Sequence, residues 1–399
     1  MTISVRPARR VKVAVAAAGF TSFALLYAPQ PVLPQLAAQY HLDPGSASLA
    51  VSVATGALAI SVLPIAALSE VVGRRPVILA SVVLSTVLGL LLPLMPDYSL
   101  LLVLRAVQGV AIAGFPGVAT AYLAERLGRA GVAAAVGAMI AGNSIGGMTG
   151  RLATGFTAGP LGWRGALYVV AGVSAVCAVV TVVALPRSDG GPGGERQTLR
   201  DVGAGLLAAV RQPVLLAQYA VALLGMGSFV ALYNAAGFRL TGAPLNLTPA
   251  VASLVFLAYA LGSVSSATAG RLAARVGRRR AILGVLLAMA IGGVLTISDA
   301  LPLIVLGFVV LTAAFFAAHS IANGWAAAEA PENARGQVGG LYTLMYYLGS
   351  SVGGAVGSVI YGRTGWTWLI AAVVVWLALA GAAIAVGTAA RAERQLAPS

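Results

Sequence analysis

The same set of landmarks occurs twice in this sequence, about 204 residues apart. The segment Gly73–Arg75 recurs as Gly277–Arg279, and the pair Gly162-Trp163 recurs as Gly365-Trp366. The other repeated landmarks are the pair Asp43-Pro44 with its copy Thr248-Pro249, and a ladder of glycines in residues 142–150 with its copy in residues 349–357. In a chain of 399 residues, nearly equal offsets predict two structurally equivalent halves.

The composition indicates that both halves lie in a lipid bilayer. Hydrophobic residues make up 59% of the chain, charged residues make up 9%, and the mean hydropathy is +0.93. A soluble domain carries about 25% charged residues, so this chain cannot cover a surface that faces water. A helix needs roughly 20 apolar residues to cross the hydrocarbon core. The apolar stretches predict twelve transmembrane helices, near residues 12–36, 46–68, 76–95, 99–123, 133–157, 165–185, 213–238, 250–270, 280–297, 301–324, 337–361 and 367–389.

The basic residues are distributed unevenly between the predicted loops. The formal net charge is +14, and most arginines and lysines fall on one side of the membrane. The loops on the other side contain only Arg164, Arg239 and Arg363. This is the positive-inside bias that orients helices during insertion. It predicts that both termini are cytoplasmic, and it explains the positive charge without nucleic-acid binding.

We divide the chain into an N-terminal six-helix bundle at residues 1–185 and a C-terminal six-helix bundle at residues 213–399. The intervening residues 186–212 are rich in Gly, Pro and charge, which is typical of a flexible linker. A short surface helix is expected within this linker at Leu199–Val210. No soluble segment is long enough to house an enzyme, and phosphate-loop and metal-ligand spacings are absent. We therefore expect no enzymatic activity, no metal and no cofactor.

The loop after the second predicted helix carries a motif that resembles a known family. Ala66–Arg75 reads AALSEVVGRR, and its copy Gly270–Arg280 reads GRLAARVGRRR. Both resemble the signature loop of the major facilitator superfamily, with Glu70 in place of the usual aspartate and Ala274 in place of the second acid. The resemblance implies an all-α integral membrane fold with twelve transmembrane helices in two pseudo-symmetric six-helix bundles. It also implies transport by alternating access.

The resemblance further implies a conformational latch in this loop. In the family, the acid closes the cytoplasmic side by meeting the N-terminus of the eleventh helix, where the helix dipole favours a carboxylate. Glu70 would take that role near Gln337, whereas Ala274 cannot, so the latch is expected to be asymmetric. Alternatively, the arginines only orient the loops. The residues assigned to the latch are Glu70, Gly73, Arg74, Arg75, Arg275, Gly277 and Arg278.

Two further motifs resemble motifs of this family. Arg105–Gly109 resembles the motif Arg-x-x-Gln-Gly, and Gly142–Arg151 resembles a glycine-rich antiporter motif in which Asn143 replaces a proline. An arginine at membrane depth costs roughly 2.5–3.5 kcal/mol on insertion scales. Arg105 is therefore either satisfied by helix carbonyls or involved in proton coupling. Glycines spaced for close helix packing are Gly142, Gly146, Gly150, Gly349, Gly353 and Gly357.

Four stretches narrow the resemblance to the YnfM-type inner-membrane transporters. They are residues 142–151, 226–229, 315–320 and 346–351. This group belongs to the drug/proton antiporter-like branch, so the resemblance implies a location in the bacterial plasma (inner) membrane and the export of small organic molecules.

The titratable residues single out one histidine. All eleven acidic residues fall in predicted loops, tails or helix ends, so none lies at mid-membrane. His319 is then the most interior titratable group, and an unperturbed histidine changes charge at about pH 6.5. It shares a helix stripe with Thr312, Phe316 and Asn323. His319 is either a hydrogen-bonded packing residue or a proton-coupling group, a role for which Arg105 is the other candidate.

Aromatic, methionine and polar side chains recur on the helices expected to line a substrate cavity. Aromatic and methionine residues suit an adaptable apolar pocket, although each stripe also suits ordinary packing. The candidate cavity residues are Phe23, Tyr27, Gln108, Asn143, Met148, Arg151, Met226, Phe229, Tyr233, Phe316, Asn323, Tyr342 and Tyr346.

These features are consistent with two kinds of transporter and with a third function of a different class. The first is a secondary transporter that exports a small organic or amphiphilic compound, with the proton gradient as its energy source. The second is a uniporter or organic-anion exchanger in which Arg105 and Arg151 attract negative substrates. The third is a non-transporting membrane sensor or chaperone, which would need an extramembrane domain that the sequence lacks. We expect a monomer whose partners are the bilayer and a small-molecule substrate.

Overall fold

The computed structural model describes residues 5–186 and 199–396, and it contains no strand within these ranges. Residues 187–198 of the predicted linker at residues 186–212 therefore lie outside the described residues. Its last part is described, and the short helix predicted at Leu199–Val210 is confirmed.

Fourteen α-helices are present within the described ranges. They are α1 (Val5–Tyr27), α2 (Leu33–Tyr40), α3 (Pro44–Val72), α4 (Arg74–Leu91), α5 (Tyr98–Ala113), α6 (Ala119–Ala184), α7 (Leu199–Val210), α8 (Pro213–Thr241), α9 (Pro249–Ser253), α10 (Tyr259–Val276), α11 (Arg278–Leu295), α12 (Leu301–Glu329), α13 (Arg335–Thr364) and α14 (Trp366–Leu396). Short 3-10 helices occur at Gln30–Val32, Leu92–Leu94, Leu254–Ala258 and Glu332–Ala334.

The chain divides into two compact units. Unit 1 comprises Met1–Leu42, Ala47–Glu195 and Asn246–Phe256, and unit 2 comprises Asp43–Ser46, Arg196–Leu245 and Leu257–Ser399. Within unit 1, α6 packs along α1, and within unit 2, α13 packs along α8.

Seven helical stretches of the described chain are long and apolar enough to cross a membrane. They are Arg9–Tyr40, Pro44–Val72, Arg74–Leu94, Ala134–Ala184, Pro213–Thr241, Leu301–Glu329 and Trp366–Ala389. An eighth is counted if Pro249–Gly262 and Val264–Val276, which meet at an angle of 43°, form one broken span.

The sequence predicts twelve crossings, and three of those missing from the count have a physical cause. The helix α5 has only 16 residues, and α11 begins with three arginines that lower its apolar character. The 51-residue stretch Ala134–Ala184 contains enough residues for two crossings of roughly 20 residues each.

The helix α6 supplies two of those crossings because it reverses direction at Gly162, whose φ is 65°. On one side of this residue, Gly142 lies against Ala16 of α1. On the other side, the hydroxyl of Thr181 donates a hydrogen bond of 3.4 Å to the carbonyl of Ala14. Residues 142 and 181 therefore lie at the same level of α1, whereas a straight helix would separate them by about 58 Å.

The four glycines with positive φ among the described residues form two repeated pairs. Gly73 and Gly277, with φ of 98° and 85°, separate α3 from α4 and α10 from α11. Gly162 and Gly365, with φ of 65° and 85°, mark the turns before the last helix of each predicted bundle. A side chain beyond Cα would be strained at such angles. The landmarks repeated in the sequence thus mark backbone turns.

The repeated pairs Asp43-Pro44 and Thr248-Pro249 are helix starts. Thr248 accepts a hydrogen bond from the backbone N–H of Val251 at 3.4 Å, and Pro249 occupies the first helical position. The Asp43 carboxylate accepts a hydrogen bond from the Ser46 hydroxyl at 2.6 Å and another from the Ser46 backbone N–H at 3.0 Å. These hydrogen bonds, the hydroxyl first, hold the pKa of Asp43 below its usual value.

Each glycine ladder lies directly on a neighbouring helix. The missing side chains allow backbones to approach to a distance at which an added Cβ would collide. The ladder in α6 faces α1, and the ladder in α13 faces α8. The facing pairs are Gly142 with Ala16, Gly146 with Phe20, Gly150 with Ala24, Gly349 with Leu223, Gly353 with Gly227, and Gly357 with Ala231.

Apolar residues cover both the interior and the outer surface of the helices. In unit 1, Val15, Ile78 and Phe115 are fully buried where α1, α4 and α6 converge. Other large apolar side chains are exposed, including Ile60 at 71% and Trp368 at 66%. Lipid chains, unlike water, can contact such residues without cost, as the composition predicts.

Candidate functional site

Arg105 of α5 is fully buried in unit 1. Its Nε donates to the carbonyl of Ala50 in α3 at 2.6 Å, and its Nη2 donates to the carbonyl of Leu26 in α1 at 2.5 Å. Its Nη1 donates to the carbonyl of Leu25 at 3.1 Å and to Oε1 of Gln108 at 2.5 Å. The guanidinium group therefore connects α1, α3 and α5 through charge-assisted hydrogen bonds.

The sequence near the end of α1 explains why acceptors are available there. Pro29 has no N–H group, so the carbonyl of Leu25, four residues earlier, loses its intrahelical partner and accepts from Arg105 instead. Gln108 extends the network, because its Nε2 donates to the carbonyl of Ser85 in α4 at 2.9 Å. The sequence raises two alternatives for Arg105, hydrogen bonding to helix carbonyls or proton coupling. Its buried donors bind helix carbonyls, which is the geometry of the first alternative.

Arg151 of α6 lies in a polar and aromatic cage within unit 1 and is 2% exposed. Its Nε donates to Oε1 of Gln30 at 2.5 Å, and its Nη1 donates to the carbonyl of Gly147 at 2.7 Å. The guanidinium carbon lies 4.1 Å from the ring centroid of Tyr27 and 5.4 Å from that of Phe256. These are cation–π distances, so the cage holds a positive charge in largely apolar surroundings.

Three other candidate residues of unit 1 are close in sequence to Tyr27 or Arg151 of this cage. Phe23 is half-buried, and its ring centroid lies 6.5 Å from that of Tyr27. Met148 is half-buried on α6. The side-chain oxygen of Asn143 faces Gly19 of α1, and among the described residues it has no hydrogen-bond partner. Asn143 therefore places a hydrogen-bond acceptor without a described partner at the face of α6 that packs against α1.

His319 of α12 is the histidine of unit 2, and it forms a compact pair with Tyr342 of α13. The Tyr342 hydroxyl oxygen lies 3.1 Å from Nδ1 of His319 and 3.2 Å from the carbonyl oxygen of the same residue. The imidazole is half-buried, and its ring centroid lies 4.7 Å from that of Tyr346 and 6.3 Å from that of Phe315. The sequence stripe thus places a titratable ring among aromatic side chains.

An aromatic cluster surrounds Phe229 of α8 in the interior of unit 2. The Phe229 ring stacks on Phe315 with a centroid distance of 4.0 Å, and it lies 4.8 Å from Tyr233 and 6.1 Å from Phe316. The hydroxyl of Tyr233 is hydrogen-bonded to that of Thr312 at 2.7 Å. Phe229 and Tyr233 are both buried, whereas Phe316 is half-buried. Phe316 is thus the accessible edge of a packed cluster.

The remaining candidates of unit 2 differ in their exposure. Met226 is buried one turn before Phe229, and Tyr342 is 2% exposed. Tyr346 is half-buried beside His319, while Asn323 is exposed on α12. The stripe of α12 therefore runs from the interior at Thr312 to the surface at Asn323.

No acidic side chain is buried among the described residues. The described acids are exposed or, for Glu329, half-buried. Asp299 forms an ion pair of 3.0 Å with Arg239. Outside the described residues or side chains lie Asp189, Glu195, Asp201 and Glu393. His319 has no buried carboxylate as a competitor in the described part of the chain.

The first copy of the signature loop contains a dense charge network. Nη2 of Arg74 lies 2.7 Å from Oε1 of Glu70, and Nη1 pairs with the carboxylate of Glu125. Arg75 donates from Nε to the carbonyl of Leu185 at 3.2 Å. Both arginines therefore tie the loop between α3 and α4 to α6.

The second copy carries a weaker version of the same contact. Nη1 of Arg278 lies 4.0 Å from Oε1 of Glu329, whereas Arg275 is exposed and forms no ion pair within the described residues. Gln337, the expected partner of Glu70, belongs to unit 2, where its side chain lies against Gly205 of α7. The contact between Glu70 and Gln337 stays a prediction.

Two of the three glutamates in these ion pairs, Glu125 and Glu329, are functional candidates that the sequence analysis did not name. Glu125 follows Arg74 by 51 residues, and Glu329 follows Arg278 by the same interval. A search for acids at matching positions of the two repeats would have found them. The repeat therefore includes the charge pair as well as the turn.

The sequence of this chain is similar to those of known transporters. The model of the Major Facilitator Superfamily matches residues 15–243 and 240–398 of the chain. The inner membrane transport protein YnfM of Escherichia coli is 37% identical over 388 residues, which are 97% of this chain and 91% of that protein. The MFS-type transporter YybF of Bacillus subtilis is 35% identical over 361 residues, which are 90% of this chain and 88% of that protein.

Solved structures resemble the fold over nearly its whole length. One is a bacterial homologue of the human lysosomal transporter Spinster in an inward-facing and unoccupied conformation. It has a TM-score of 0.80 at 14% identity, and the match covers 100% of this chain and 100% of that chain. The nucleoside transporter NupG has a TM-score of 0.76 at 15% identity, with 94% of this chain and 99% of that chain covered. The predicted fold class is confirmed.

Proposed function

Because the chain belongs to the major facilitator superfamily, we propose that it is a secondary transporter that exports a small organic or amphiphilic compound in exchange for protons. It is an integral membrane transporter, and we place it in the bacterial plasma membrane with both termini cytoplasmic and with the monomer as the working unit. The observation that supports the proton coupling is the pair formed by His319 and Tyr342, since no described acidic side chain of the same unit is buried.

The geometry of this pair supports a specific assignment of protons. A phenol group has one hydrogen to donate, and the His319 carbonyl oxygen can only accept. Both short contacts are satisfied together when Tyr342 donates to that carbonyl and accepts from Nδ1–H. Nε2 then carries the lone pair, so it is the nitrogen that binds and releases the transported proton.

The aromatic surroundings of His319 support a role for substrate at the same place. Phe316 and Tyr346 are half-buried beside the packed cluster of Phe229 and Phe315. Aromatic faces bind apolar and weakly cationic groups. A bound amphiphile would therefore compete with the protonated imidazolium for the same surface, which couples proton release to substrate binding. Arg105 takes the structural role in this proposal, since its hydrogen bonds connect helix carbonyls.

The test is the variant His319→Ala in vesicles that contain the purified protein. We expect flux driven by a pH gradient to be lost, while exchange of substrate across the membrane without a gradient continues. The matched control is His41→Asn, because His41 is the other histidine of the chain and its φ of 53° suits asparagine. Unchanged gradient-driven flux in the His319 variant would overturn the coupling role.

A second function, organic-anion exchange without protons, is favoured by Arg151. A buried guanidinium beside Tyr27 and Phe256 is suited to an aromatic carboxylate. In this case Arg151→Gln would abolish transport of anionic substrates, and flux would not respond to a pH gradient in either the parent protein or the His319 variant. A panel of radiolabelled anions and cations, each measured with and without the gradient, separates the two functions.

A further inference from the structure

An open pocket of ≈ 440 Å³ lies at the junction of α10 and α11 in unit 2. The residues that line it include Val276, Arg278, Arg279, Arg280, Trp325 and the acidic Glu329. Three consecutive arginines therefore line one cavity together with a tryptophan and a single acid, Glu329. Gly277 and Arg278 of this pocket are among the residues assigned to the latch, whereas Arg279 and Arg280 have no role in the transport mechanism proposed above.

The positive charge at this pocket is poorly neutralised. Residues 271–280 contain five arginines and no acid. Of these, Arg278 approaches a carboxylate, Glu329, and only at 4.0 Å. No other ion pair to this segment occurs within the described chain. The pocket therefore presents several positive charges to a ligand.

The first repeat provides an internal comparison. There the arginine equivalent to Arg278 is Arg74, which is 18% exposed and pairs with both Glu70 and Glu125. Arg278 is 49% exposed, and Ala274 stands where Glu70 stands in the first copy. Only the second copy thus leaves its charges open to an external anion.

Apolar side chains of α10 and α11, of which Val276 lines the pocket, indicate the source of that anion. Leu272 and Val276 of α10 are 39% and 43% exposed, and Leu287 of α11 is 62% exposed. Apolar residues of a membrane protein that are exposed in this way face lipid chains. A free phosphate would use only the arginines, whereas a phospholipid would use the arginines and these apolar residues together.

We propose that this pocket binds the phosphate headgroup of an anionic phospholipid, with its acyl chains along α10 and α11. Arginine presents paired N–H donors that match phosphate oxygens. A basic residue near an anionic lipid surface contributes about fivefold in binding. The site is separate from His319 and Arg151, so it does not depend on the transport proposal.

The experiment measures the binding of phosphatidylglycerol and of phosphatidylcholine to the full chain by native mass spectrometry. The variants are Arg279→Gln and Arg280→Gln, singly and together. Arg363→Gln is the control, because it removes one exposed charge from the other predicted side of the membrane. Thermal melting in phosphatidylcholine alone verifies that each variant is folded.

We expect the preference for phosphatidylglycerol to fall about fivefold in each single variant and further in the double variant. The control should keep the parent preference, and inorganic phosphate should not displace the lipid at low millimolar concentration. An unchanged preference in the double variant would refute the site. An equal loss in Arg363→Gln, or displacement by inorganic phosphate, would refute phospholipid as its specific ligand.

Discussion

The hydroxyl oxygen of Tyr342 lies 3.1 Å from Nδ1 of His319. The same oxygen contacts the carbonyl oxygen of that histidine. A single phenol group of α13 therefore binds both the side chain and the backbone of one residue in α12. The imidazole is held in one orientation as a result, and its Nε2 is directed away from Tyr342. A group that must bind and release a proton in each cycle benefits from such fixed geometry.

The variant Tyr342→Phe keeps the ring and removes this hydroxyl. Since the imidazole then loses its acceptor, we expect gradient-driven flux to fall about tenfold, the effect of one hydrogen bond to a charged group. If Tyr342 acts through His319, the double variant Tyr342→Phe/His319→Ala should transport no worse than His319→Ala alone. Additive losses in flux would show that the two residues act independently.

The latch prediction concerns Glu70, which pairs with Arg74 at 2.7 Å and is 58% exposed. Glu70→Gln should shift the protein toward inward-open conformers, because the neutral amide loses the electrostatic attraction of the carboxylate to Arg74 and to the positive end of the helix dipole. An exposed ion pair contributes roughly 0–1 kcal/mol, so the population ratio should change at most about fivefold. Distances between spin labels on the cytoplasmic side measure the shift. Asp299→Asn is the control, because it removes an exposed acid that pairs with Arg239 at 3.0 Å on the other predicted side of the membrane. A shift in Glu70→Gln no larger than the shift in this control would contradict the latch.

Arg105 should contribute to stability more than to transport chemistry. In Arg105→Gln, the carbonyls of Leu25, Leu26 and Ala50 lose a charged donor, and we expect the free energy of unfolding to fall by about 3–5 kcal/mol. Arg105→Lys keeps the charge but has fewer hydrogen-bond donors. Its free energy of unfolding should therefore lie between those of the parent protein and Arg105→Gln. Denaturant unfolding of the purified variants measures the effect. A stable Arg105→Gln protein that has lost only its response to a pH gradient would instead assign Arg105 to coupling.

The glycine ladder can be tested with a control on the same helix. Gly142 of α6 lies against the backbone of Ala16, whereas a Cβ added at Gly137 would meet nothing within 4 Å. Gly142→Ala should lower the free energy of unfolding by about 1–3 kcal/mol through overpacking. Gly137→Ala should be neutral or stabilising by up to about 1 kcal/mol, since alanine favours helix. Similar melting temperatures for the two variants would argue against close packing of α1 on α6.

Much of the fold follows from local signals that repeat. The turns at Gly73 and Gly277 need a backbone angle that glycine supplies, so the sequence marks them directly. The glycines of α6 and α13 recur at four-residue spacing, which places them on one face of a helix. The twelve-helix pattern and the family motif come from the same period of hydrophobicity and the same repeat.

The site depends on partners that are distant in the sequence. Nothing local indicates that Arg105 meets carbonyls about 80 residues away, because the acceptors appear only when Pro29 interrupts α1 and the helices pack. The cage around Arg151 likewise takes Phe256 from a short 3-10 helix more than 100 residues later. Glu125 was detectable through its repeat copy, but its pairing with Arg74 requires the packed loop.

The hydrogen bonds of Arg105 have a consequence for biogenesis. A bare guanidinium in hydrocarbon opposes the integration of α5 by roughly 2.5–3.5 kcal/mol. The helices α1 and α3 emerge from the ribosome before α5, so the oxygens that accept from this side chain reach the membrane ahead of it. The order of segments along the polypeptide thereby matches the order in which the nascent protein needs them.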